Sequence, residues 1–395
     1  MKKGLISKFF ILLLVVGLLF AVAPTKQAQA QTADVSWYSD GPESFTLSDA
    51  DDLAGLAQLV NAGNTFSGKT ILLGADIDLL AYTNWDPIGG GFGGVDNRPF
   101  DGIFDGQSHT IANLTINRPT EFEVGLFGTV GVGTVQNFAL NDVNIIGLEA
   151  VGGVAGRLYP DGTVNNVTVQ DATITGNHWA GGIAGFVYGQ LSDVHVIDVT
   201  ISSPYLNDDQ DGDKGGGLVG YMADSQLSDC SATTVTVTAV RNAGGLVGAA
   251  GNTTITNCSV DGATVTASNA TGSHASPYAG GALGQASGAV TLTTISVTDP
   301  IVSSYDPAFA GTVVGGPLSN VTSSGVELTL NVGVGQAYAT LADAMAVVPT
   351  GLAEITYALH DDQTFTTTGH GTPDLAKGAD VVNLKKAPTV TGEVK

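Results

Sequence analysis

Between residues 120 and 320 the chain alternates short apolar and polar runs with a period of two, rich in Val, Ile and Thr and broken at regular points by Gly, Asn and Asp. That is the pattern of short half-buried strands separated by turns, and little helical periodicity interrupts it. The runs repeat. Gly-Gly-Val-Ala-Gly at 152–156 returns as Gly-Gly-Ile-Ala-Gly at 181–185, Gly-Gly-Leu-Val-Gly at 216–220 and 244–248, and Gly-Gly-Ala-Leu-Gly at 280–284. A shorter form stands at 125–128 and a degenerate copy at 311–315. The spacing is about 28 residues, longer where loops are inserted, which marks a solenoid whose units bury their apolar faces against one another.

Two further segments follow each Gly motif. The first carries an apolar column, Phe138, Val167, Val194, Cys230 and Cys258, expected to point into the core. The column just before it is Asn137, Asn166, Asp193, Asp229 and Asn257, side chains that bond turn backbone at a bend. The second segment carries Thr-x-[Thr/Ser] units at 173–175, 200–202, 236–238 and 264–266. The expected fold is all-β: a right-handed parallel β-helix of three short strands per coil, with equivalent residues of successive coils about 4.8 Å apart. The solenoid is placed at 31–325, opened by a capping helix over 47–63 and a first strand over 71–78. A small C-terminal α+β module at 326–395 has a helix over 337–348 and a strand over 354–359.

The first thirty residues have a different pattern. Lys2, Lys3 and Lys8 precede an apolar run over 9–23, short for a bilayer span, and Ala28-Gln29-Ala30 is a small-x-small cleavage site. Residues 1–30 therefore read as a signal peptide, and the protein as secreted or displayed at the cell surface, with no membrane insertion after cleavage. Removing four of the 14 Lys and Arg and none of the 37 Asp and Glu takes the net charge from −23 to −27. Such a field repels nucleic acid and anionic membranes, whose binding needs clustered Lys and Arg.

Cys230 and Cys258 fall one repeat apart in register, close enough for a disulfide. In-register parallel neighbours point their Cβ atoms the same way, however, and a buried Cys replaces Val readily, so free thiols are the favoured of the two readings.

The Gly-Gly-[Leu/Ile/Val]-[Val/Ala]-Gly repeats resemble the GLUG motif of bacterial surface and secreted proteins, some streptococcal immunoglobulin A peptidases among them. The likeness covers roughly residues 120–320, and the segments at 85–89, 100–106 and 110–116 resemble the lead-in to such repeats. It implies a parallel β-helix. It does not imply peptidase activity, because the chain lacks a His-Glu-x-x-His helix.

Candidate chemistry is sparse. Asp209, Asp211 and Asp213 have the alternate spacing that wraps oxygen ligands around Ca²⁺, though Lys214 and Gly220 stand where an EF-hand loop places Gly and Glu. Asp142, Asp171 and Asp198 form a carboxylate column at a second bend, where turn chemistry competes with cation binding. Arg157, Lys214 and Arg241 lie beside the Gly motifs, and Arg157 and Arg241 flank opposite ends of theirs. His195 points outward from a strand. No catalytic centre emerges from these residues. The favoured function is a binding or adhesion scaffold for glycan or a surface protein. A polysaccharide-active enzyme and an ice-binding Thr face are the alternatives.

Overall fold

The computed structural model describes residues 32–90, 98–204, 213–268, 277–304, 310–311, 313–316, 321–332, 354–359 and 381–386. The signal segment, Asp209, Asp211 and the helix expected over 337–348 lie outside these residues.

The described chain is nearly all β, and its strands pair in parallel into three sheets of 18, 7 and 6 strands. The large sheet runs through Ile103–Ala112, Thr134–Gly147, Thr163–Gly176, Gln190–Ser203, Thr253–Asp261 and Val290–Thr298 to Val321–Val332, Glu354–Leu359 and Val381–Lys386. Val167 pairs with Phe138 and Val194, steps of 29 and 27 residues. Gln190 pairs with Gln226, a step of 36, and Thr254 with Thr291, a step of 37. These two steps are longer than those of the neighbouring coils, yet the parallel register of the large sheet continues through both.

Register is fixed because a one-residue slip would turn the buried set outward. Phe138, Val167, Val194, Cys230 and Cys258 are all at most 4% exposed, as expected of the core column. The Phe and Val side chains of this column each contribute roughly 1.5–3 kcal/mol by leaving water. Both cysteines are free thiols. Burial and the neighbouring Cys258 push the Cys230 thiol far above its ordinary range.

The large-sheet segment of each coil bends twice, and both bends are left-handed. Asn137, Asn166, Asp193, Asp229 and Asn257 have φ between 50° and 59°. At the second bend Asp142, Asp171, Asp198 and Thr234 have φ between 52° and 55°, and Gly262 has 65°. The carboxylate column is therefore a column of bends, where Asp and Gly tolerate this conformation and the β-branched Thr234 adopts it against its preference. Amides also link the coils: Asn166 Nδ2 donates to Asn137 Oδ1 at 2.8 Å and Asn257 Nδ2 to Asp229 Oδ1 at 2.6 Å.

At the N-terminal end a helix spans Ala50–Asn61, within the expected 47–63. Its N-cap Asp49 accepts from the backbone N–H groups of Asp51 and Asp52, and Leu53, Leu56, Ala57 and Val60 are buried. The first strand expected over 71–78 is two, Thr70–Leu73 and Ile77–Asp78. A strand not anticipated, Ser44–Leu47, pairs with the first of them. The Gly motif also differs from expectation: it is two strands in two different sheets, not one.

Asn166→Val should cost about 1–2 kcal/mol for the left-handed backbone and a further ~1 kcal/mol for the lost inter-coil bond. Asn166→Gly should lose only the latter. Urea unfolding of the two variants separates the terms.

Candidate functional site

Each Gly motif folds back on itself. Its first half enters the seven-stranded sheet, as in Ala150–Gly152, Trp179–Gly181 and Lys214–Gly216. Its second half enters the six-stranded sheet, as in Ala155–Leu158, Ala184–Val187 and Val219–Ala223. A Cβ on Gly152 would collide with the carbonyl oxygen of Ala155 and with Ala184 of the next coil. Only glycine lets the two sheets approach this closely.

The side chains just before and just after the glycines then face one another across a seam that runs along the solenoid. The column from the seven-stranded sheet is Glu123, Ala150, Trp179, Lys214, Asn242 and Tyr278. The opposing column is Thr129, Arg157, Phe186, Tyr221, Ala249 and Gln285.

The seam is packed with charge and aromatic rings. Arg157 Nε lies 3.3 Å from Glu123 Oε1 and its Nη2 3.4 Å from Glu149 Oε1, and the Arg157 and Glu123 side chains are only 5% and 2% exposed. The guanidinium stands 4.7 Å from the Phe186 ring centre and 5.6 Å from that of Trp179. Phe186 stacks on Tyr221 at 5.1 Å with 4° between planes, and Trp179 meets Phe186 at 4.7 Å. Lys214 Nζ lies 5.0 Å from the Tyr221 ring and 5.8 Å from Trp179. Two cations therefore bracket one aromatic group, in a site where such contacts are worth more than in water. Further along, Asn242 Nδ2 donates to Gln285 Oε1 at 3.0 Å.

Trp179, Tyr188, Tyr221 and His178 are half-buried, so the aromatic group shows an edge to solvent. Tyr188 extends it, with its ring 4.4 Å from Phe186.

Of the residues singled out from the sequence, Arg157 and Lys214 come together although they flank opposite ends of the Gly motif. The fold-back of that motif is what unites them, and the spacing carried no sign of it. Asp213, 2% exposed, joins the seam through its backbone carbonyl, which accepts from Asn242 N–H at 3.0 Å. Asp142, Asp171 and Asp198 stand apart on exposed bends of the large sheet. The Thr row exists in register, Thr173, Thr200, Thr236 and Thr264, but Asn144 and Ile301 flank it. Among the described residues no three His, Cys, Asp or Glu side chains gather as metal ligands.

A cleft of about 520 Å³ near the helix is lined by Gln58, Asn61, Tyr82, Asn84, Trp85 and Asp86. Its polar groups are largely engaged within the protein: Asn61 bonds Asp86 and Pro87, and the Trp85 indole N–H donates to Leu126.

The GLUG motif family matches residues 239–266, which hold the Asn242–Gly244 and Val247–Gly251 seam strands and the Asn257 bend. The chain is thus a GLUG-motif-containing protein with a parallel, β-helix-like all-β fold. It is 37% identical over 114 residues to halomucin of Haloquadratum walsbyi (strain DSM 16790 / HBSQ001), a stretch that is 27% of this chain and 1% of halomucin. A crystal structure of a Bacteroides ovatus protein assigned as an immunoglobulin A1 protease is similar over 87% of this chain and 84% of its own, with 17% identity and a TM-score of 0.41. At that score nothing about activity is carried across.

Arg157→Met alone leaves the Glu123 carboxylate buried without its guanidinium and should destabilise by about 3–5 kcal/mol. Combining it with Glu123→Gln should recover more than half of the loss, as measured by equilibrium unfolding.

Proposed function

We propose that the chain is a secreted or cell-surface binding scaffold that recognises glycan, with the exposed edge of the seam's aromatic group as the contact face. The observation that carries this reading is the set of half-buried rings, Trp179, Tyr188 and Tyr221, gathered on Phe186 beside Arg157 and Lys214. Rings of this kind give large rigid contact area at low entropic cost, and they suit ligands with one apolar and one polar side. The apolar C–H face of a sugar ring lies flat on such a surface, and its hydroxyls reach flanking donors and acceptors. The GLUG motif, the signal-peptide pattern of residues 1–30 and the similarity to halomucin support an extracellular or surface setting. The proposal extends to Ca²⁺ on Asp209, Asp211 and Asp213, the last of which directly precedes Lys214 of the seam.

The test is a glycan array probed with residues 31–395, with and without Ca²⁺, repeated with Tyr188→Ala and Tyr221→Ala. Glycan binding that weakens at least about tenfold in both variants, measured well below each variant's own melting temperature, is the expected result; about 1.4 kcal/mol per ring corresponds to that factor. Binding unaffected by either substitution, or no glycan bound, contradicts the reading. Loss of binding on chelation, reproduced by Asp209→Asn and Asp211→Asn, would assign the metal to the three aspartates.

A further inference from the structure

The outer face of the large sheet carries a row of polar side chains in register across successive coils: Thr168, His195, Ser231, Ser259 and Ser296. Two contacts set His195 apart within it. Its Nδ1 lies 2.8 Å from Ser231 Oγ, on the next coil, and its Nε2 lies 3.0 Å from Asp193 Oδ1. One tautomer satisfies both: Nε2–H donates to Asp193, and Nδ1 accepts from the Ser231 hydroxyl. Asp193 sits at a left-handed bend, φ 52°, directly before the strand segment that carries His195. The His195 and Asp193 side chains are 34% and 53% exposed, and Ser231 is half-buried. Three groups with the connectivity of a nucleophile, its base and the base's orienting carboxylate are therefore open to solvent on one flat face.

We propose that Ser231, His195 and Asp193 form a hydrolytic relay that cleaves carboxylic esters presented to this face of the solenoid. Ser231 Oγ adds to the ester carbonyl carbon while its proton passes to His195 Nδ1, and the carbonyl oxygen takes up the displaced electron pair. Nε2 keeps its proton and donates it to Asp193, whose carboxylate stabilises the imidazolium. Collapse of the adduct breaks the C–O bond to the alcohol, which leaves with the proton from Nδ1, and Ser231 is acylated. Water then adds to the acyl carbon, giving its proton to Nδ1, and the second collapse releases the carboxylic acid and returns the proton to Ser231. One ester and one water give one acid and one alcohol. Ser259, in register with Ser231 on the following strand, supplies a hydroxyl on the same side for the developing oxyanion. With hydroxyl rather than paired backbone support, the site suits esters, whose alcohols leave readily, and not amides.

A merely structural contact would leave Ser231 no more reactive than Ser259 and Ser296. The experiment treats the full chain with a fluorophosphonate probe, maps adducts by peptide mass spectrometry, and follows p-nitrophenyl acetate hydrolysis in parallel. The expected result is a single adduct on Ser231, with labelling and hydrolysis both abolished in Ser231→Ala. Both should fall at least about tenfold in His195→Gln, and Asp193→Asn should be intermediate. All three side chains lie on the outer face, so circular dichroism should show the fold retained. An unlabelled Ser231, label spread evenly over the hydroxyl row, or a His195→Gln protein as reactive as the parent overturns the proposal.

Discussion

Two sheets of a solenoid can press their outer faces together only where neither has a side chain, and the Gly motif meets that condition at every coil. Gly152, Gly181, Gly216 and Gly244 each stand where a Cβ would meet the backbone of the opposing strand. From this approach the rest follows. The chain reverses within five residues and so places both halves of the motif in register with their counterparts one coil away. The flanking side chains are thereby forced into one seam. Sterics at the glycines thus set the positions of Arg157, Trp179, Phe186, Lys214 and Tyr221, and their mutual contacts fill the space that the fold-back creates.

The charges inside the seam are costly to bury, and their arrangement offsets that cost locally. Arg157 has two carboxylates and two rings around it, while Lys214 faces two rings. Ion pairs of this kind add little net stability compared with an apolar filling, but once present they are hard to dismantle singly. The outer face of the large sheet obeys a different rule. There, alternate residues are free of packing demands, and hydroxyls, amides and the His195 group occupy positions the core does not dictate.

Much of the scaffold was legible in the sequence because each coil repeats the same physical problem. The apolar column through Val167 and the Asx column through Asn166 could be read directly, since burial and a left-handed bend each select a narrow set of residue types. The seam was not legible. Its columns hold Ala, Trp, Lys, Asn and Tyr at one equivalent position, a mixture with no periodic signal, and the reversal that joins the two ends of the motif leaves no mark beyond the glycines themselves. Ser44–Leu47 was missed because four residues carry too little alternation to stand out from the loop before the helix. The columns through Val194 and Cys230 place His195 opposite Ser231, but register alone does not show which way the imidazole turns or that Asp193 bonds it.

Gly181 offers the most direct test of the role given to the close approach, because a Cβ there would strike the carbonyl oxygens of both Ala184 and Leu218. The measurement is the unfolding free energy of Gly181→Ala together with the intrinsic fluorescence of Trp179, two residues away. The account predicts a loss of at least about 1–3 kcal/mol and a shift of the indole emission as the seam is prised open. Stability within about 0.5 kcal/mol of the parent and an unchanged emission spectrum would contradict it.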